Sequence, residues 1–132
     1  MGDDHWHTLR AKRDLGVLCR DLEQFEEAER LLTEALEGRA KKKGRDDTNA
    51  LRFMCELSVW YTRQMEFEEA EHFLLEALGG LRKNLGDQDK NTLLAGQYLI
   101  ELYDAWEKPD QVEYWRAKLP QTENTTDKVN GP

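Results

Sequence analysis

The sequence contains only two cysteines in 132 residues, Cys19 and Cys55, and both fall inside helical patterns. That excludes a disulfide framework and leads us to expect reduced thiols in a cytoplasmic protein. No apolar run approaches the ~20 residues of a membrane span, and no apolar signal segment follows Met1, so no membrane association is expected. Basic residues are in deficit, 19 against 27 acids, for a net charge of −8. Such a balance argues against nucleic acid as a partner. No glycine-rich phosphate loop and no nucleophile–base set is present. An enzyme is therefore not expected, nor is a cofactor or a metal.

What is present is a repeat. The stretch Gln24–Leu36 (QFEEAERLLTEAL) returns 42 residues later as Phe67–Leu78 (FEEAEHFLLEAL), and a weaker copy starts another 42 residues on at Pro109. A fixed period of tens of residues marks a solenoid. Charged residues make up 35 % of the chain and apolar ones 39 %, but the apolar ones recur at helical spacing, which argues for a folded rather than a disordered chain.

The order along the chain follows from that period. Residues 1–7 read as the remnant of an inter-repeat linker. The repeat domain covers 8–119, with repeats at about 8–46, 47–88 and 89–119. Asp47 and Asp89 suit helix N-caps, and the corresponding start of the first copy is less clear. Six helices are predicted, near 8–21, 25–42, 48–63, 67–84, 89–106 and 109–119. In the first, Ala11, Leu15, Leu18 and Leu22 form an apolar stripe expected to fill the stack, while Arg10, Arg13, Val17 and Arg20 form a mainly basic one. The second and fourth helices bury Ala28, Ala35, Ala70 and Ala77, whose small size lets backbones approach. Acids open these helices and bases close them, in line with the helix dipole. Gly44 and Gly86 stop them, whereas the pair Gly79-Gly80 is expected to interrupt the pattern of the fourth helix and lower its local stability. Pro109 starts the last helix and Pro120 ends it. Residues 120–132, nearly devoid of apolar side chains, are expected to form a disordered tail.

These residues resemble a tetratricopeptide repeat. The first copy reads Leu15-Gly16-(x2)-Cys19-(x8)-Ala28-(x3)-Leu32-(x2)-Ala35, the second Leu57-Ser58-(x2)-Tyr61-(x8)-Ala70-(x3)-Leu74-(x2)-Ala77. The long period and the linkers, such as Asp4-His5-Trp6-His7-Thr8-Leu9, are similar to the kinesin-light-chain-like subtype. The third copy departs from the pattern at Ile100, Val112 and Arg116. The resemblance implies an all-α fold, an α-α superhelix of three helix-turn-helix repeats with six antiparallel helices. It also implies a concave groove lined by the first helix of each repeat. By position, the groove would present Arg10, Arg13, Asp14, Val17 and Arg20, then Arg52, Cys55, Glu56, Val59 and Arg63, then Leu94, Gln97, Tyr98, Glu101 and Asp104. Asp14, Glu56 and Tyr98 stand where the subtype commonly carries asparagine, so that subtype's peptide contacts do not transfer.

The function expected on this basis is a non-catalytic scaffold that binds an extended, acidic peptide or a partner helix in the groove. The alternative is a structural one: a capping or self-associating segment at the C-terminal end of a longer array, with a homo-oligomer or a longer repeat chain as its setting. Each sharp feature has a plainer reading. The groove arginines can be a solvated face with pairs such as Arg10–Asp14 and Arg52–Glu56. Arg39–Arg45 can be the basic end of a helix rather than a localisation patch. His5 and His7 with Asp3 and Asp4 lack a third metal partner. Cys55 beside Arg52 is either a reactive thiol or an inert small residue. Trp60, Trp106 and Trp115 fit core positions better than groove anchors.

Overall fold

Each copy forms two helices joined by a tight turn. A computed structural model describes residues 5–119, so residues 1–4 of the expected linker and the expected tail at 120–132 lie outside the described residues. The helices are α1 (Trp6–Asp21), α2 (Phe25–Lys43), α3 (Thr48–Arg63), α4 (Phe67–Leu85), α5 (Lys90–Ala105) and α6 (Pro109–Lys118). No strand occurs among the described residues.

Local chemistry sets these boundaries. Asp47 Oδ2 accepts from the backbone N–H groups of Asn49 and Ala50 at 3.0 and 3.1 Å, and Asp89 Oδ2 from Asn91 at 2.9 Å. These bonds satisfy donors that a helix start leaves free. His5 performs the same task less well, its Nδ1 accepting from His7 at 3.3 Å. The three hairpin turns share one conformation: Glu23, Met65 and Glu107, 42 residues apart, have φ of 63°, 61° and 60°. After each, the next N–H reaches back to the preceding helix, as from Gln24 to the Cys19 carbonyl at 2.8 Å. At the other end of the repeat, Gly44 and Gly86 stop α2 and α4 with φ of 95° and 91°, where a side chain is disfavoured.

The helices pack as a line. Each touches its successor, and the first helices also touch one another, α1 against α3 and α3 against α5. The second helices make no such contact with each other among the described residues. The stack therefore curves with α1, α3 and α5 on the inner wall. Ala28, Ala35, Ala70 and Ala77 are fully buried, as their small size predicts.

Three expectations need correction. The pair Gly79-Gly80 does not interrupt α4. A Cβ on Gly80 would lie 2.5 Å from a Leu51 methyl, so that glycine admits the leucine, as Gly38 admits Leu9 one repeat earlier at 2.6 Å. Trp6 is not linker: it opens α1, stacks on Phe53 with ring centroids 6.1 Å apart, and lies under the Arg39 guanidinium at 4.7 Å. Finally, the stripe of Ala11, Leu15, Leu18 and Leu22 fills no gap. All four are exposed, and the buried side of α1 carries Leu9, Gly16, Cys19 and Arg20. That stripe is the face a hairpin preceding α1 would cover, and the described residues include none.

The third repeat is thinner. α6 has ten residues and buries only Val112, with Trp115 half-buried and Arg116 exposed. Leu119 returns to the core against Gly96.

Candidate peptide-binding groove

The inner wall brings together most of the residues expected there, but not as a row of free arginines. Arg20 is 5 % exposed. Its Nη1 donates to Glu56 Oε1 at 2.9 Å and to the Glu56 carbonyl at 3.0 Å, and its Nε reaches Asp21. Arg63 donates to the Arg20 carbonyl and faces Asp21, both at 3.3 Å. Arg20, Glu56, Asp21 and Arg63 thus form a clasp between the first and second repeats. A guanidinium buried in such a set is committed, because opening it would leave charge without a partner in a poorly solvated place. The i,i+4 pairs expected of Arg10–Asp14 and Arg52–Glu56 give way to other partners: Arg13 binds Asp14 at 2.8 Å and Arg52 binds Asn49 at 3.1 Å.

Two hollows open between α3 and α5. The first is lined by Arg13, Arg52, Cys55, Glu56, Asn91 and Leu94, among others. The Arg13 guanidinium also lies over the Phe53 ring, its Cζ 5.7 Å from the ring centroid, a cation–π contact that holds the charged head at the wall. The second is lined by Val59, Thr62, Arg63, Tyr98 and Glu101, with Ser58 and Leu102 beneath. Burial, and then the Glu56 charge, push the Tyr98 hydroxyl up to about 12, so it stays protonated and can donate. Gln97 is exposed and turned to Glu101 at 3.2 Å. Val17 is half-buried against the core, and Arg10, Asp14 and Asp104 are exposed. The first hollow is therefore basic and the second mixed, with an apolar floor.

Asn91 was not among the residues expected at the wall. Its signal lay in the repeat, since Asn49 and Asn91 hold the same place two residues after Asp47 and Asp89. The plainer readings hold for Cys55, Trp60, Trp106 and the basic segment at 39–45. Burial pushes the Cys55 thiol up to about 12, which removes thiolate reactivity. Trp60 is buried, its Nε1 donating to the Phe25 carbonyl at 2.7 Å, and Trp106 stacks on Phe67. Arg39 binds Asp47 and Arg45 binds Glu76, each at its closest approach under 3 Å, so the basic segment ties repeats together. Asp3 and Asp4 lie outside the described residues, among which no group of three or more His, Cys, Asp or Glu could hold a metal ion. No helix among them is long and apolar enough to cross a membrane.

Comparison with known proteins agrees with this geometry. A family model described as tetratricopeptide repeat matches residues 7–83. No curated protein sequence matches the chain. Among solved structures, BtubC (BKLC) from P. vanneervenii is similar at a TM-score of 0.78 and 21 % identity, over 98 % of this chain and 51 % of that one. A variant of a protein described as a kinesin light chain with nearly identical TPR-like repeats, from Podosopora anserina, is similar at 0.65 and 22 %, over 89 % of this chain and 59 % of that one. This chain thus spans little more than half of either, and at such identities the likeness concerns the fold. Repeats of this kind typically serve as non-catalytic scaffolds for protein–protein interaction. With the model covering more than half of the sequence, the chain belongs to the tetratricopeptide repeat family.

Proposed function

We propose that this domain is a binding scaffold that holds an extended, acidic peptide along the wall formed by α1, α3 and α5. The observation that carries the reading is the state of two arginines. Among the described residues, Arg13 makes one ion pair, with its exposed neighbour Asp14, besides lying over the Phe53 ring, and Arg52 makes one side-chain hydrogen bond, to the neutral Asn49. Both line the first hollow, where a carboxylate could take bidentate bonds from either. The second hollow supplies Val59 and the Tyr98 hydroxyl for a neighbouring side chain. Arg20 and Arg63 maintain the wall rather than contact the peptide, with Glu56 as the counter-charge of Arg20 and Asp21 as that of Arg63. Arg10, Gln97 and Glu101 flank the path.

Fluorescence polarisation with two labelled peptides of equal length, one rich in Asp and Glu and one rich in Lys, tests this. The acidic peptide should bind with an affinity that falls as salt rises, and Arg13→Glu with Arg52→Glu should weaken it by at least about tenfold with unchanged far-UV CD. Equal binding of both peptides, or binding that survives the double change, removes the basic hollow from the account.

A further inference from the structure

The exposed face of α1 has buried counterparts. Ala11, Leu15, Leu18 and Leu22 stand in 42-residue register with Phe53, Leu57 and Trp60 of α3 and its C-cap Gln64, and with Ala95, Leu99 and Leu102 of α5 and its C-cap Trp106. Leu57 and Leu99 are 2 % and 0 % exposed, whereas Leu15, Leu18 and Leu22 are 48 %, 52 % and 61 % exposed. In the later repeats this face meets the preceding hairpin: Trp60 bonds the Phe25 carbonyl, and Trp106 stacks on Phe67 at 5.5 Å. A second observation is independent of the first. The sequence ahead of α1, Gly2-Asp3-Asp4-His5, falls in register with Gly44-Arg45-Asp46-Asp47 and with Gly86-Asp87-Gln88-Asp89. In both of those linkers the glycine ends a second helix with positive φ.

We propose that the Leu15–Leu18–Leu22 face is the seat of a further helical hairpin of this repeat class, whose second helix covers α1 as α2 covers α3. The opposite end of the same stack does not fit the seat. α6 places Pro109, Glu113 and Arg116 where α2 has Phe25, Glu29 and Leu32, so a second copy docking head to tail would set an arginine against the leucines. A covering hairpin removes three wet leucines from solvent, the contribution that couples one repeat to the next. This inference rests on the repeat register and not on the groove reading, so a failure to bind peptide leaves it standing.

The test extends the whole chain rather than cutting it. A copy of residues 48–85, the α3–α4 hairpin, is joined directly before Gly2, and amide hydrogen exchange and thermal melts are compared with and without it. Exchange across 15–22 should slow by about tenfold or more and Tm should rise. Leu15→Gln, Leu18→Gln and Leu22→Gln together should erase both gains in the extended chain, while leaving the melt of the unextended chain nearly unchanged, which shows that the variant folds. Unaltered exchange in the extended chain overturns the proposal. So does an unextended chain that sediments as a dimer with 15–22 already protected, because the occupant is then a second copy.

Discussion

α1 and α3 are near-copies in register and opposite in fate. Each opens with an aspartate-or-histidine cap, each admits a leucine against a glycine of the following helix, and each carries a leucine before its Gly16 or Ser58 position. Yet Leu57 is sealed and Leu15 is half open to water. The difference lies in what precedes each helix: α3 has α2 behind it and α1 has no helix before it among the described residues. Within their own hairpins α1 and α3 are alike, and they differ in what lies against their other side.

The largest effect expected from that contrast is at the two leucines. Leu57→Ala should cost about 2–5 kcal/mol in urea unfolding, and Leu15→Ala under about 1 kcal/mol. Equal costs would show that the α1 face is covered in solution. A middle effect is expected where the repeats agree. Gly38→Ala and Gly80→Ala each drive a methyl into a leucine, Leu9 or Leu51, and both should lose roughly 1–3 kcal/mol by the same measurement. A loss at only one of them would mean that the hairpins are packed differently after all.

The smallest effect is at the caps. Asp47→Ala should cost about 1 kcal/mol and His5→Ala a few tenths. The aspartate's share depends on acid. Burial opposes its ionisation, but the Arg39 bond and the N–H groups of Ala50 and Asn49 outweigh that and hold the Asp47 carboxyl below the usual range. Because the folded value is the lower one, the stabilisation is complete above about pH 4 and drains away as the pH falls through the folded value. Melts of wild type and Asp47→Ala should converge in acid, and a gap that stays constant with pH would assign the effect to something other than the charge.

Much of this architecture was legible from the residues. The 42-residue return located six helices, Asp47 and Asp89 marked their starts, and the alanines marked the close approaches, because each is a local requirement of a helix or a hairpin. What escaped was set by partners far along the chain. Leu15 and Leu18 satisfy the same helical spacing whether or not a neighbour covers them, so periodicity alone could not tell wet from dry. Arg20 lies on the expected wall, but its commitment to Glu56 spans 36 residues and needs the curvature of the stack. Trp6 looked like linker because its contacts, Phe53 and Arg39, come from other helices. Gly80 looked like a defect until Leu51 was seen to need the space.

Contacts that run only from one hairpin to the next have a thermal consequence. Heat should open this stack like a zipper, from its end helices inward, since among the described residues no long-range latch ties α6 to α1. The α3–α4 hairpin, held from both sides, is then the last part to melt. A ligand lying across all three inner helices would act as a splint, adding the end-to-end tie that the polypeptide itself does not make.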